Sequence, residues 1–197
     1  VRKLFHAVNR KHCPTMRYID WLYNHAATRP AKLAIVSPGV VLTYDHFYRA
    51  VLQTAERLVQ ARIEAGQTIA VAVKHPALFC VLAAALDYLD CIILGCNFLP
   101  GPTAKIAAPN GVRIDRFLLD EPAAAGSGAD AVIVDMDWLN CDTAIRVQRR
   151  PDQDPDPDSL VHIFTSSGTT GQMKAVGYSK RHMMILLSRL IFGIWVE

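Results

Sequence analysis

Hydrophobic and polar positions along this chain switch between a helical period and a strand-like one, and the switches mark out its elements. Tyr18, Ile19, Leu22, Tyr23 and Ala26 close one face of a helix over 18–27, and Pro30 stops it. Leu33 to Val36 and Val40 to Leu42 are short apolar runs around Ser37-Pro38-Gly39, which predicts a hairpin. Thr43 then stands as an N-cap for a long helix from Tyr44 to Arg62. Phe47, Val51, Ala55 and Leu58 line one face of it, with Tyr48, Leu52 and Val59 beside them. His46 occupies the place of the Glu in a capping box and is expected to shape the helix start.

Gly66 interrupts the chain, and Thr68 to Val73 is apolar without strict alternation, the pattern of a strand covered on both faces. From Pro76 onward, Leu78, Val81, Leu82, Ala85, Leu86 and Leu89 recur at helical spacing, and Cys91 to Leu94 reads as the next strand. Strand, helix and strand in that order predict a parallel pair joined by a right-handed crossover. Beyond a Pro/Gly loop at 100–102 come two further strand candidates, Arg116 to Leu119 and Ala131 to Val134, separated by the flexible stretch 123–128. A proline- and aspartate-rich connection, 149–159, delivers the chain to an apolar strand, Leu160 to Phe164. Its aspartates are read as solvated, because prolines interrupt them and the glycine and glutamate of a calcium loop are missing. A β-rich segment from Lys174 to Tyr178 follows, and Ser179 is placed as the N-cap of a final helix beginning at Lys180. Residues 1–17 show no period and read as an N-terminal arm. Residues 18–197 read as one α/β unit with a mainly parallel sheet flanked by helices.

Composition narrows the class. Of 197 residues 51% are hydrophobic and 20% charged, enough apolar material for a sizeable globular core. The net charge of +3 forms no basic stripe, and Arg149-Arg150 and Lys180-Arg181 read as solvated surface pairs, which argues against a nucleic-acid partner. Five cysteines without a C-x-x-C spacing suit neither a disulfide framework nor a zinc site, and a cytoplasmic location is expected. The two most apolar segments, 76–96 and 183–196, are broken by Asp87 and Asp90 and by Arg189, so each is expected to be a core helix rather than a membrane span. None of the seven histidines pairs at i, i+4 around an acid, so they are assigned surface or capping roles and no metal site is expected.

The chemistry concentrates in Phe164-Thr165-Ser166-Ser167-Gly168-Thr169-Thr170-Gly171-Gln172-Met173-Lys174. Runs of Ser, Thr and Gly are commonly plain loops. Here, however, the run follows a strand and leads into another, with a lysine three residues after the last glycine. Glycines let backbone amides form a concave anion nest, hydroxyls add neutral donors, and lysine adds a point charge. The spacing is not that of a Walker loop, which needs Gly, four residues and then Gly-Lys-Ser/Thr.

The stretch resembles the phosphate-binding signature of the adenylate-forming superfamily, which includes acyl-CoA synthetases, adenylation domains of peptide synthetases and luciferases. It departs from that signature at Met173, where proline is usual, and at Ala175, where glycine is usual. Looser similarities precede it in the same order: Pro30 and Ala34 after the first helix, Thr43-Tyr44-Asp45-His46-Phe47 at the second, and Gly66-Gln67-Thr68-Ile69-Ala70. Gln67 stands where aspartate is usual and Asp90 where glycine is typical. The resemblance implies the N-terminal part of an acyl-CoA synthetase-like enzyme. Such an enzyme converts a carboxylic acid and ATP to an acyl-adenylate and then a CoA thioester, with ATP, Mg²⁺ and coenzyme A as cofactors.

It assigns Thr165, Ser166, Ser167, Gly168, Thr169, Thr170, Gly171 and Lys174 to the ATP phosphates, and no catalytic residue to this chain. The remainder of the same polypeptide would supply the other groups, so the chain alone is expected to be inactive. Two rival readings are a non-catalytic nucleotide-binding or interaction module on a degenerate synthetase scaffold and an unrelated phosphate-binding domain. The carboxylic acid, the thiol acceptor and the oligomeric state are not readable.

Overall fold

A computed structural model describes residues 18–96, 111–121, 130–141, 156–167 and 173–193. The arm at 1–17, the loop at 100–102, the stretch at 123–128 and most of the 149–159 connection lie outside the described residues.

Helix α1 (Tyr18–Thr28) buries Ile19, Leu22 and Ala26, the stripe expected from the sequence. β1 (Leu33–Ser37) and β2 (Val40–Thr43) form the hairpin around Gly39, whose φ of 71° suits the turn. α2 (Tyr44–Gln60) starts where Thr43 Oγ1 accepts the His46 amide at 3.2 Å. It ends two residues earlier than predicted, because Arg62 takes φ 60° and ends the helical run. β3 (Thr68–Ala72) is buried at its first four positions, as a strand covered on both faces must be. α3 (Pro76–Tyr88) opens with proline, its missing N–H costing nothing there, and His75 Nδ1 accepts the Ala77 amide as the cap.

β4 (Ile92–Gly95), β5 (Arg116–Leu119) and β6 (Ala131–Ile133) join β3 as parallel strands. β7 (Leu160–Ser167) pairs parallel with β4, and β8 (Met173–Ser179) closes the sheet antiparallel to β7 before α4 (Lys180–Gly193). The order is β6-β5-β3-β4-β7-β8, a mainly parallel α/β sheet as expected. One face carries the main core: Ile69, Val71, Ile93 and Leu118 pack under α1, α2 and α3. The other face holds a smaller cluster around Ala70, Leu94 and Ile163.

The two aspartates that interrupt the apolar segment both have work to do. Asp87 Oδ2 accepts the Ile19 amide at 3.3 Å, a negative charge at the start of α1 where the helix dipole favours it. Asp90 takes φ 57° just past the end of α3, the left-handed conformation for which glycine is the usual residue. The substitution at Gln67 is also served: its Oε1 accepts the Glu64 amide at 3.0 Å and closes the turn before β3.

A short 3₁₀ turn, Met136–Leu139, escapes the sequence reading. It is held by α2, where Thr54 Oγ1 donates to the Trp138 carbonyl at 3.3 Å and the Arg57 guanidinium lies over the Trp138 ring. His46 joins this contact, its Nε2 lying 3.1 Å from the Leu139 carbonyl, so its ring docks the turn as well as standing at the helix start. Among the described residues no helix is long and apolar enough to cross a membrane.

Candidate functional site

β7 owes its strand to Leu160, Val161, Ile163, Phe164 and Thr165, side chains that fit a pleated, half-buried surface. It runs on through Ser167, so Thr165, Ser166 and Ser167 belong to the strand rather than to a loop beginning at Thr165. The reason is cross-strand pairing: Thr165 lies opposite Ala175, Ser166 opposite Lys174 and Ser167 opposite Met173. Gly168, Thr169, Thr170 and Gly171 lie outside the described residues. The run thus starts and ends in two paired strands, at the carboxyl end of β7. That is also the carboxyl end of β3, β4 and β5, where open α/β sheets bind ligands.

Alternation along the hairpin sorts the predicted residues by face. Lys174 shares a face with Phe164 and Val176, while Thr165 lies on the opposite face with Ala175. Ala175 packs against the Ala70, Leu94 and Ile163 cluster, and its φ is not positive, so the position makes no demand for glycine. Lys174 is exposed, and among the described residues it has no hydrogen-bond or ion-pair partner. Lys74, another cation at this sheet end, is placed differently. Its amide donates to Asp120 Oδ2 at 2.6 Å and its ammonium pairs with Glu121, so its charge is already answered.

Behind Lys174 the face is aromatic. His162 stacks on Phe164 with ring centroids 4.1 Å apart and planes 13° apart, and Tyr178 meets Phe164 edge-on at 5.2 Å. A side chain at Gly95 would come within 3.6 Å of His162 Nε2, so the ring lies close over the end of β4. Burial holds the imidazole down at a pKa of about 4, which keeps it neutral at physiological pH. This corrects the surface-or-cap expectation for His162. Two other histidines fit it better: His75 caps α3, and His182 Nδ1 lies 3.0 Å from Ser179 Oγ at the start of α4.

The base of the hairpin holds a second correction. It concerns one residue of the Lys180-Arg181 pair: Lys180 is not solvated, its Nζ lying 2.9 Å from Asp90 Oδ1 with only 10% of its side chain exposed, whereas Arg181 is exposed as expected. Arg181 Nε donates to Asp158 Oδ1 at 3.0 Å, and this bond holds the Asp158 carboxyl below its ordinary range. The sequence signal that pointed to this site was Asp90 itself, an aspartate where a helix end asks for glycine. Among the described residues no group of three or more His, Cys, Asp or Glu is placed to hold a metal ion.

A mainly parallel sheet, a helix-covered core and a hydroxyl- and glycine-rich hairpin tip with an exposed lysine define an N-terminal α/β subdomain of the adenylate-forming type. The chain belongs to the AMP-binding enzyme family, whose sequence profile matches residues 22–195. A linear gramicidin synthase polypeptide of Brevibacillus parabrevis is 26% identical over 170 residues, covering 82% of this chain and 3% of that protein. Among solved structures, the N-terminal subdomain of Klebsiella oxytoca NpsA with 3-hydroxyanthranilyl-AMSN is similar, with a TM-score of 0.64 at 17% identity over 84% of this chain and 41% of that one. A Mycobacterium tuberculosis fatty acyl CoA synthetase is similar with a TM-score of 0.59 at 16% identity, over 82% of this chain and 34% of that one. The chain therefore spans less than half the length of each of these proteins.

Proposed function

We propose that this chain is the phosphate-gripping part of an ATP-dependent, carboxylate-activating enzyme, and that residues 165–174 hold the β- and γ-phosphates of ATP. The observation that carries the reading is Lys174: an exposed ammonium, uncompensated among the described residues, fixed opposite Ser166 at the carboxyl end of the sheet. In such a reaction the carboxylate oxygen bonds to the α-phosphorus and the bond to pyrophosphate breaks, giving an acyl-adenylate. Lys174 and the amides and hydroxyls from Thr165 to Gly171 would orient the leaving phosphates and offset their charge, a task of positioning rather than bond-making. The Mg²⁺ would arrive with the triphosphate, which suits a donor set of amides, hydroxyls and one ammonium.

A thiol then displaces AMP. We assign coenzyme A to that step on the sequence resemblance. The similarity to both a gramicidin synthase and a fatty acyl CoA synthetase keeps a carrier-bound thiol as the other acceptor. Three departures from the family pattern have structural partners here: Gln67 caps a turn, Asp90 pairs with Lys180 and Ala175 packs against the smaller cluster. Residues with such partners speak for a maintained scaffold rather than a decaying one.

Isothermal titration with MgATP tests the reading. The 197-residue chain should bind, and Lys174→Ala should weaken binding roughly tenfold, the scale of one lost charge-assisted contact. Equal affinity of the two proteins would contradict the assignment. The chain should show no carboxylate-dependent exchange of pyrophosphate into ATP, and measurable exchange would overturn the expectation that further groups are required.

A further inference from the structure

His75 caps α3 with a side chain that helices rarely choose for the task. Caps are commonly Ser, Thr, Asn or Asp, whose short polar groups serve the first amides and reach no further. An imidazole carries a second nitrogen on the far side of a rigid ring, and here both nitrogens are used. Nδ1 lies 3.2 Å from the Ala77 amide, and Nε2 lies 3.1 Å from the Pro38 carbonyl in the β1–β2 turn. The partners fix the tautomer. The Ala77 N–H can only donate, so Nδ1 is bare, and the Pro38 carbonyl can only accept, so Nε2 carries the hydrogen. The neutral ring with its hydrogen on Nε2 is the form that satisfies both contacts.

The turn is the weaker end of its hairpin. At the other end the Tyr44 amide donates to the Lys32 carbonyl at 2.9 Å, and the Asp45 amide to the Pro30 carbonyl at 3.2 Å. Toward the turn, Ile35 and Val40 rest on the core, but Val36 and Val41, paired across the ladder, stand 70% and 58% exposed. Ser37 Oγ, beside Pro38, is buried and has no hydrogen-bond partner among the described residues. The bond from His75 therefore ties down the end of the hairpin that packing holds least.

Protonation reverses the chemistry at Nδ1. It sets an N–H against the Ala77 N–H and puts a cation at the N-terminus of α3, where the helix dipole disfavours one. Because the ring is rigid, withdrawing Nδ1 from the helix carries Nε2 off the Pro38 carbonyl. The neighbouring groups leave this response to His75. From Leu33 to Thr43 the hairpin has no titratable residue. The Lys74 ammonium pairs with Glu121 and the Lys74 amide donates to Asp120, so the charged groups at the carboxyl ends of β3 and β5 are already engaged. Further along α3, burial pushes the Cys80 thiol up, and it does the same to the Tyr18 hydroxyl that interacts with it, so both stay neutral.

We infer that His75 is a proton-sensitive clip between the β1–β2 turn and α3: neutral, it holds both, and protonated, it releases both. The contacts are complete at alkaline pH and are lost on acidification. The clip lies at the carboxyl end of β3, the sheet end that also carries Ser166 and Lys174, but it does not rest on the phosphate-gripping reading.

Nitrogen NMR of the imidazole rings and amide hydrogen exchange test this on the 197-residue chain between about pH 8 and pH 5. At the alkaline end His75 should carry its hydrogen on Nε2. On acidification, protection factors corrected for the intrinsic pH dependence of exchange should fall roughly fivefold at Ala77 and at residues 39–41, the scale of one lost cap. His75→Asn separates the two contacts, since asparagine caps helices, does not titrate and ends short of the position of Nε2. Its Ala77 protection should stay within about twofold of alkaline wild type at every pH, while residues 39–41 are weakly protected throughout. A hydrogen on Nδ1 at alkaline pH would overturn the inference. So would unchanged protection of residues 39–41 in acidified wild type, or an equal acid loss at Ala77 in His75→Asn.

Discussion

The β3–α3–β4 unit and the β7–β8 hairpin belong to one sheet but are built on opposite terms. In the first, α3 buries seven of its side chains, and β3 is covered on both faces. In the second, Phe164 and Val176 lie side by side across the ladder and both are substantially exposed, and β7 meets β4 through two registered pairs and the small cluster of Ala70, Leu94 and Ile163. One region is held by apolar area removed from water, which no single polar contact can rival. The other is held by cross-strand pairing, a small apolar cluster around Ile163 and a few charged contacts at its base. On the proposed reading, the difference separates what keeps the chain folded from what would bind phosphate: the packed unit sets the strand directions, and the hairpin carries Ser166 and Lys174 at their carboxyl ends.

Substitutions can break that contrast or sharpen it. The largest effect should come from the packed unit. Leu82 is fully buried on α3, and Leu82→Ala should cost about 2–5 kcal/mol of unfolding free energy in urea titration. A loss under about 1 kcal/mol would mean that this core is not the scaffold. Lys174→Ala should do the reverse. Tripolyphosphate or MgATP affinity should fall roughly tenfold, about 1.4 kcal/mol, with stability unchanged within about 0.5 kcal/mol, as for exposed sites generally. Thr43→Ala removes the acceptor for the His46 amide and should destabilise by about 1 kcal/mol without touching affinity.

The smallest effect is a pH dependence. His162 is held at about 4, below its ordinary value of 6.5, so the unfolded chain binds the proton more readily than the folded one. Its contribution to stability is therefore complete above pH 6.5 and is lost as pH falls toward 4. His162→Phe keeps the stack on Phe164 and removes the titration. Its thermal midpoint should fall less than that of wild type across that window, and parallel pH curves would show that the ring is not buried neutral.

The packed unit was also the legible one. The stripes on α2 and α3 and the uninterrupted apolar run of β3 are signals of burial, and burial is what they became. Boundaries set by partners distant in sequence were not legible. Thr165 to Ser167 read as loop because Ser and Thr serve turns as readily as strands, and only the pairing with Met173 to Ala175 decides between them. The Met136–Leu139 turn has too few residues for a period and is held by Thr54 and Arg57, some 80 positions earlier. Lys180 looked solvated because its neighbour is another cation, while its real partner stands 90 positions away. At the candidate site the residue types were readable, but their division between two faces of a hairpin was not.

The hairpin tip, rather than the packed unit, is proposed to meet the phosphates of ATP. Amide hydrogen exchange of the 197-residue chain with and without MgATP tests this most directly. The expected result is added protection confined to peptides covering residues 165–174, with α3 unchanged. Protection elsewhere with none in 165–174, or no change at saturating nucleotide, would contradict it.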